Sequence, residues 1–73
     1  MYYRRIYELR EDNDIKQKTI AEYLGMQPNV YRRYEKGIRA IPVEAVVKLA
    51  DYYRGSTDYL LGRTDDPTPP RAK

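Results

Sequence analysis

Apolar side chains return every three or four positions through most of this chain, and no segment alternates with a period of two over a useful length. Five helices and no strand are therefore predicted. Residues 2–12 place Ile6 and Leu9 on one face before Asn13 and Asp14 break the pattern. Residues 17–24 carry Ile20, Ala21 and Leu24, and Gly25 follows where a left-handed C-terminal cap favours a residue without Cβ. Residues 28–36 begin with Pro28, whose missing N–H is harmless in a first turn, and end at Gly37. Residues 43–53 present Val43, Val46, Val47, Ala50 and Tyr53 as one stripe. Residues 57–61 form a last short turn, capped by Ser56 and stopped by Gly62. Lys16, Gln27 and Pro42 stand where a small N-cap residue would help, and each missing cap costs on the order of 1 kcal/mol. Those helix starts must lean on packing.

The segment QKTIAEYLGMQPNVYRRY, 17–34, has a narrower meaning. Two helices meeting at a wide angle around a tight turn need a small side chain at the crossing, here Ala21, and a turn residue that tolerates positive φ, here Gly25. On the second helix, Tyr31 and Tyr34 share a face and are expected to fill the wedge against the bundle. Pro28, Asn29, Arg32 and Arg33 hold the opposite, polar and cationic face. This is the layout of a helix-turn-helix. Beyond Gly62 the composition changes to RTDDPTPPRAK, so residues 1–62 are expected to be the domain and 63–73 a mobile tail.

With 73 residues there is room for one domain and little room for a substrate cavity, so catalysis is not expected. The chain has no Cys and no His, which removes disulfides, thiolate and imidazole chemistry and the usual transition-metal ligands; no metal, cofactor or small-molecule ligand is expected. No apolar run approaches the roughly 20 residues that span a bilayer, and the N-terminus lacks a signal-peptide stretch, so a cytoplasmic protein is expected. The net charge is +3, and its distribution matters more than its size. Between 27 and 41 stand Arg32, Arg33, Lys36 and Arg39 against Glu35 alone, while Glu8, Glu11, Asp12 and Asp14 gather near the end of the first helix.

These residues carry a resemblance. LRED at 9–12, Gln17, IAEYLGM at 20–26, VYRRYEKG at 30–37, VVKLADYY and DYLLG stand in the order and spacing of the Cro/repressor-type (XRE-like) helix-turn-helix family, over about residues 4–62. The resemblance implies an all-α, five-helix bundle of the lambda-repressor-like type. It implies a DNA-binding transcriptional regulator, a repressor in the commoner case, acting as a homodimer on inverted repeats. It places base-reading residues at the start and outer face of the third helix: Gln27, Pro28, Asn29 and Arg33, with Arg32 at the groove edge. It sets Gln17 against a phosphate, and it implies an internal ion pair between Arg10 and Glu35 that ties the first helix to the end of the third.

The chemistry suits that assignment. Arg can donate two hydrogen bonds to guanine O6 and N7, Asn can pair with adenine N6 and N7, and each such pair discriminates by about 1–3 kcal/mol. Lys36 and Arg39, flanking Gly37, are placed to hold phosphates. Two other classes compete. An antitoxin-like or adaptor module would use the apolar end around Tyr59, Leu60 and Leu61, to which a homodimer would also turn unless it forms only on DNA. A single-strand or RNA binder would use the nine tyrosines, of which Tyr31, Tyr34, Tyr53 and Tyr59 are expected in the core with hydroxyls reaching the surface, and Tyr2, Tyr3, Tyr7, Tyr23 and Tyr52 partly exposed.

Overall fold

The computed structural model describes residues 2–66 and 68; Met1, Pro67 and residues 69–73, including most of the proline-rich end of the expected tail, lie outside the described residues. Five helices follow in order: α1 (Arg4–Asp12), α2 (Gln17–Leu24), α3 (Pro28–Glu35), α4 (Val43–Tyr53) and α5 (Thr57–Leu60). No strand occurs among the described residues. α1 begins two residues later than its pattern predicts, because the backbone of Tyr2 lies against Gly37 instead of joining the helix. Asn13 closes α1, and Asp14 adopts a φ of 55° to turn the chain toward α2.

Helices α2, α3 and α4 start at the predicted residues although Lys16, Gln27 and Pro42 provide no side-chain cap; each of the three is extended, and packing holds the helix start. Among the described helix starts, that of α5 alone has a side-chain cap, the Ser56 Oγ accepting from the Tyr59 N–H at 2.9 Å. The core gathers Ile6 of α1, Ile20, Ala21 and Leu24 of α2, Tyr31 of α3, the inner face of α4, and Leu60 of α5.

That inner face differs from the predicted stripe. Ala45, Val46, Leu49 and Ala50 are buried, whereas Val43 and Val47 are 78% and 45% exposed. At 100° per residue, Ala45, Leu49, Tyr53, Val46 and Ala50 span one continuous arc with Val43 and Val47 beyond its edge. The β-branched residues Val43, Val46 and Val47 suggest a face rotated from the one that Ala45 and Leu49 complete. Two further expectations are corrected. Tyr34 remains half-buried at the side of α3 and is not part of the core, while Tyr31 is fully buried and its hydroxyl turns inward. The Tyr53 hydroxyl is also enclosed, and it finds no hydrogen-bond partner among the described residues.

After α5 the chain folds back on α1. Arg5 donates to the Tyr59 carbonyl at 3.0 Å, to the Thr64 carbonyl and to the Asp65 carboxylate, and its guanidinium lies 4.2 Å from the centre of the Tyr59 ring. That contact places Tyr59 beneath a cation rather than in the core.

Candidate nucleic-acid interface

The turn between α2 and α3 is closed by backbone chemistry. Gly25 takes a φ of 71°, its N–H reaches the Glu22 carbonyl at 3.1 Å, and the Met26 N–H reaches the Ala21 carbonyl at 2.9 Å. This reciprocal pair satisfies the last carbonyls of α2 while Met26 packs on the core, which fixes the angle at which α3 leaves. Ala21, with no exposed surface, sits within the core between these helices. The same device ends α3: Gly37, at φ 77°, donates to the Tyr34 carbonyl at 3.1 Å, and Ile38 donates to the Arg33 carbonyl at 2.9 Å.

α3 is held from behind by a buried polar cluster. Glu35 is 2% exposed and accepts four hydrogen bonds. Arg10 grips it with both Nε, at 2.7 Å, and Nη2, at 3.0 Å. The Tyr31 hydroxyl donates at 2.7 Å and the Gln17 amide at 3.1 Å. Arg10 also donates through Nη1 to the Ile15 carbonyl at 2.7 Å, so one guanidinium joins α1 to the turn before α2 and to the end of α3, while Gln17 brings the start of α2 to the same carboxylate. Burial alone would push the Glu35 carboxyl up, but the hydrogen bonds from Arg10, Tyr31 and Gln17 outweigh it and hold the group below the ordinary carboxylate range. The bond to Glu35 raises Arg10 despite its burial. Burial and the same carboxylate push the Tyr31 phenol far above its ordinary range, so it remains a donor.

The outward face of α3 is different in kind. Gln27, Pro28, Asn29, Arg32 and Arg33 are all exposed, as are Lys36 and Arg39 just beyond. Among the described residues, Arg32, Arg33, Lys36 and Arg39 make no ion pair, as Lys16, Lys18, Lys48 and Arg54 elsewhere also make none, whereas Arg4, Arg5, Arg10 and Arg63 each pair with a carboxylate. The structure thus brings together a run of uncommitted cations and amides on and beside one short helix whose other face is locked. Gln17 is half-buried, with one amide N–H committed to Glu35. Sequence reasoning missed Tyr31 as a member of the buried cluster; its i, i+4 spacing to Glu35 was the available signal. It also missed Tyr2 and Tyr7, which with Gln17, Glu35 and Lys36 line an open cavity of about 420 Å³. Among the described residues no cluster of acidic side chains could hold a metal ion, and no helix is long and apolar enough to cross a membrane.

A family model described as Helix-turn-helix matches residues 6–60, and the chain belongs to that family. It is 38% identical over 69 residues to the uncharacterized HTH-type transcriptional regulator YobD of Bacillus subtilis, covering 94% of this chain and 62% of that protein. It is 38% identical over 53 residues to the cryptic phage CTXphi transcriptional repressor RstR of Vibrio cholerae, covering 73% of this chain and 48% of that protein. Against the HTH-type transcriptional regulator ImmR of Bacillus subtilis the identity is 36% over 62 residues, 85% of this chain and 49% of the relative. The chain therefore spans about half to three-fifths of the length of these relatives. No solved structure matches it significantly.

Proposed function

We propose that this chain is a non-enzymatic, cytoplasmic, sequence-specific binder of double-stranded DNA that regulates transcription, as a repressor, by laying α3 in the major groove. The observation that carries this reading is the contrast across α3: Tyr31 and Glu35 anchored inside, and Asn29, Arg32 and Arg33 outside without an intramolecular partner among the described residues. Asn29 and Arg33 read base edges, Gln27 and Pro28 contact bases at the leading end, and Arg32 stands at the groove edge. Lys36 and Arg39 meet phosphates, and Gln17 does so with the amide N–H not committed to Glu35. Repression is favoured by the relative RstR, which is named a transcriptional repressor.

Pairing of two copies on an inverted repeat, with half-sites about 34 Å apart, fits one side of the expected apolar end. Leu60 is 1% exposed and belongs to the core. Leu61 instead lines an apolar groove with Tyr3, Ile41, Val43, Val46, Val47 and Thr57, and that groove is the proposed contact between copies.

Titration of a randomised duplex pool at rising salt tests the reading. Affinity should fall linearly in log salt, with a slope near −0.9 for each neutralised phosphate, and unpaired oligonucleotides should compete poorly. A salt-independent affinity, or preference for single strands, would overturn it.

A further inference from the structure

Beside the end of α3 the N-terminal segment crosses Gly37 at unusually close range. A Cβ on Gly37 would lie 2.8 Å from the Tyr2 Cα and 2.9 Å from its Cβ, so the glycine is required both for its left-handed φ and for the passage of Tyr2. This crossing fixes Tyr2 as a wall of the cavity whose other sides are Tyr7, Gln17, Glu35 and Lys36. The cavity therefore includes two residues already assigned to phosphates, together with two tyrosines that have no part in that assignment.

The two tyrosines are not equivalent. The Tyr7 hydroxyl donates to Glu11 at 3.1 Å and is committed. Tyr2 is 51% exposed, and its hydroxyl has no partner among the described residues. The chemistry of the cavity selects an anion despite the carboxylate in its lining. Glu35 is already neutralised by Arg10, and both of its oxygens accept two hydrogen bonds. What remains available is the Lys36 ammonium, one Gln17 N–H and the Tyr2 hydroxyl, beside aromatic surface that can pack on a sugar.

We propose that Tyr2 is a further DNA-backbone contact, its hydroxyl donating to a phosphate oxygen in the cavity it shares with Gln17 and Lys36, with Gly37 as the positioning residue that lets it sit there. The inference rests on the duplex-binding reading above. It does not depend on which bases α3 reads.

The test uses the full chain and a duplex selected from a randomised pool. Tyr2→Phe keeps the ring and should fold normally, yet bind every duplex about tenfold more weakly, consistent with loss of one hydrogen bond to a charged acceptor. Tyr7→Phe should bind as wild type. The decisive arm replaces single phosphates by neutral methylphosphonates. One substitution should weaken the wild-type protein and leave Tyr2→Phe no weaker than on the unmodified duplex. If Lys36→Ala weakens binding but Tyr2→Phe does not, the Tyr2 contact is wrong while the duplex reading stands. If Tyr2→Phe is weakened but remains as sensitive as wild type to every methylphosphonate, Tyr2 acts only through structure and the proposal falls. If neither Lys36→Ala nor Arg33→Ala changes duplex binding, the reading beneath it fails too.

Discussion

α3 and α4 are both pressed into the same core, yet they are held by different physics. The buried face of α4 is Ala45, Val46, Leu49 and Ala50, whose burial stabilises the fold in proportion to apolar area and with little directional demand. The buried face of α3 is Tyr31 and Glu35, whose polar atoms join a four-donor cluster with fixed distances. A buried ion pair is often no more stabilising than a well-packed apolar substitute, so its use must be sought elsewhere. In this fold its bonds tie the helix that presents Asn29 and Arg33 to α1 and to the start of α2, and an orienting role for them is the expectation to be tested, whereas α4 packs through apolar contact.

The sharpest way to break that contrast is to remove one partner of the ion pair. Glu35→Ala should cost about 3–5 kcal/mol in urea unfolding, because it strands the Arg10 charge. The combined Arg10→Met and Glu35→Leu variant should recover much of that loss while discriminating less among duplexes; wild-type discrimination in the double variant would remove the orienting role assigned to the cluster. Leu49→Ala, fully buried in the apolar face, should cost about 2–5 kcal/mol and leave duplex preference unchanged in the folded fraction.

Acid separates the two faces as well. Because the Glu35 carboxyl is held below its ordinary value of 4.5, its contribution is fully present at neutral pH and is lost as pH falls below that value through the folded-state value. Thermal melts between neutral pH and pH 3 should show this loss in the wild type and less of it in Glu35→Gln. Next in size are the glycines. Gly25→Ala meets nothing within 4 Å and should cost about 1–2 kcal/mol through its left-handed φ alone, whereas Gly37→Ala must also displace Tyr2 and should cost more. Equal losses would show that the crossing of Tyr2 is loose. Val43→Ser, on the exposed edge of α4, should change monomer stability by no more than about 0.5 kcal/mol.

The end of α2 and the start of α3 were legible because Gly25 and Pro28 punctuate the chain locally. The inner face of α4 is ambiguous in the sequence because an apolar run including Val43, Val46, Val47, Leu49 and Ala50 supports two rotations, and the packed core with α1, α2, α3 and α5 chooses between them. That Arg10 meets Glu35 is invisible to periodicity, since 25 positions separate them; it entered through family resemblance. The place of Tyr2 beside Lys36 was not legible at all. It depends on a backbone crossing at Gly37 that no local pattern encodes. The outward residues of α3 could be named from helical spacing, but their lack of partners among the described residues is a property of the packed molecule.

In the proposed complex the outer face of α3 chooses the sequence. Selection from a randomised duplex pool with wild type, Arg33→Ala and Lys36→Ala measures this directly. Arg33→Ala should lose preference at one or two base pairs, while Lys36→Ala should weaken all duplexes alike and keep the wild-type preference. An Arg33→Ala protein with the wild-type preference at every position would contradict it.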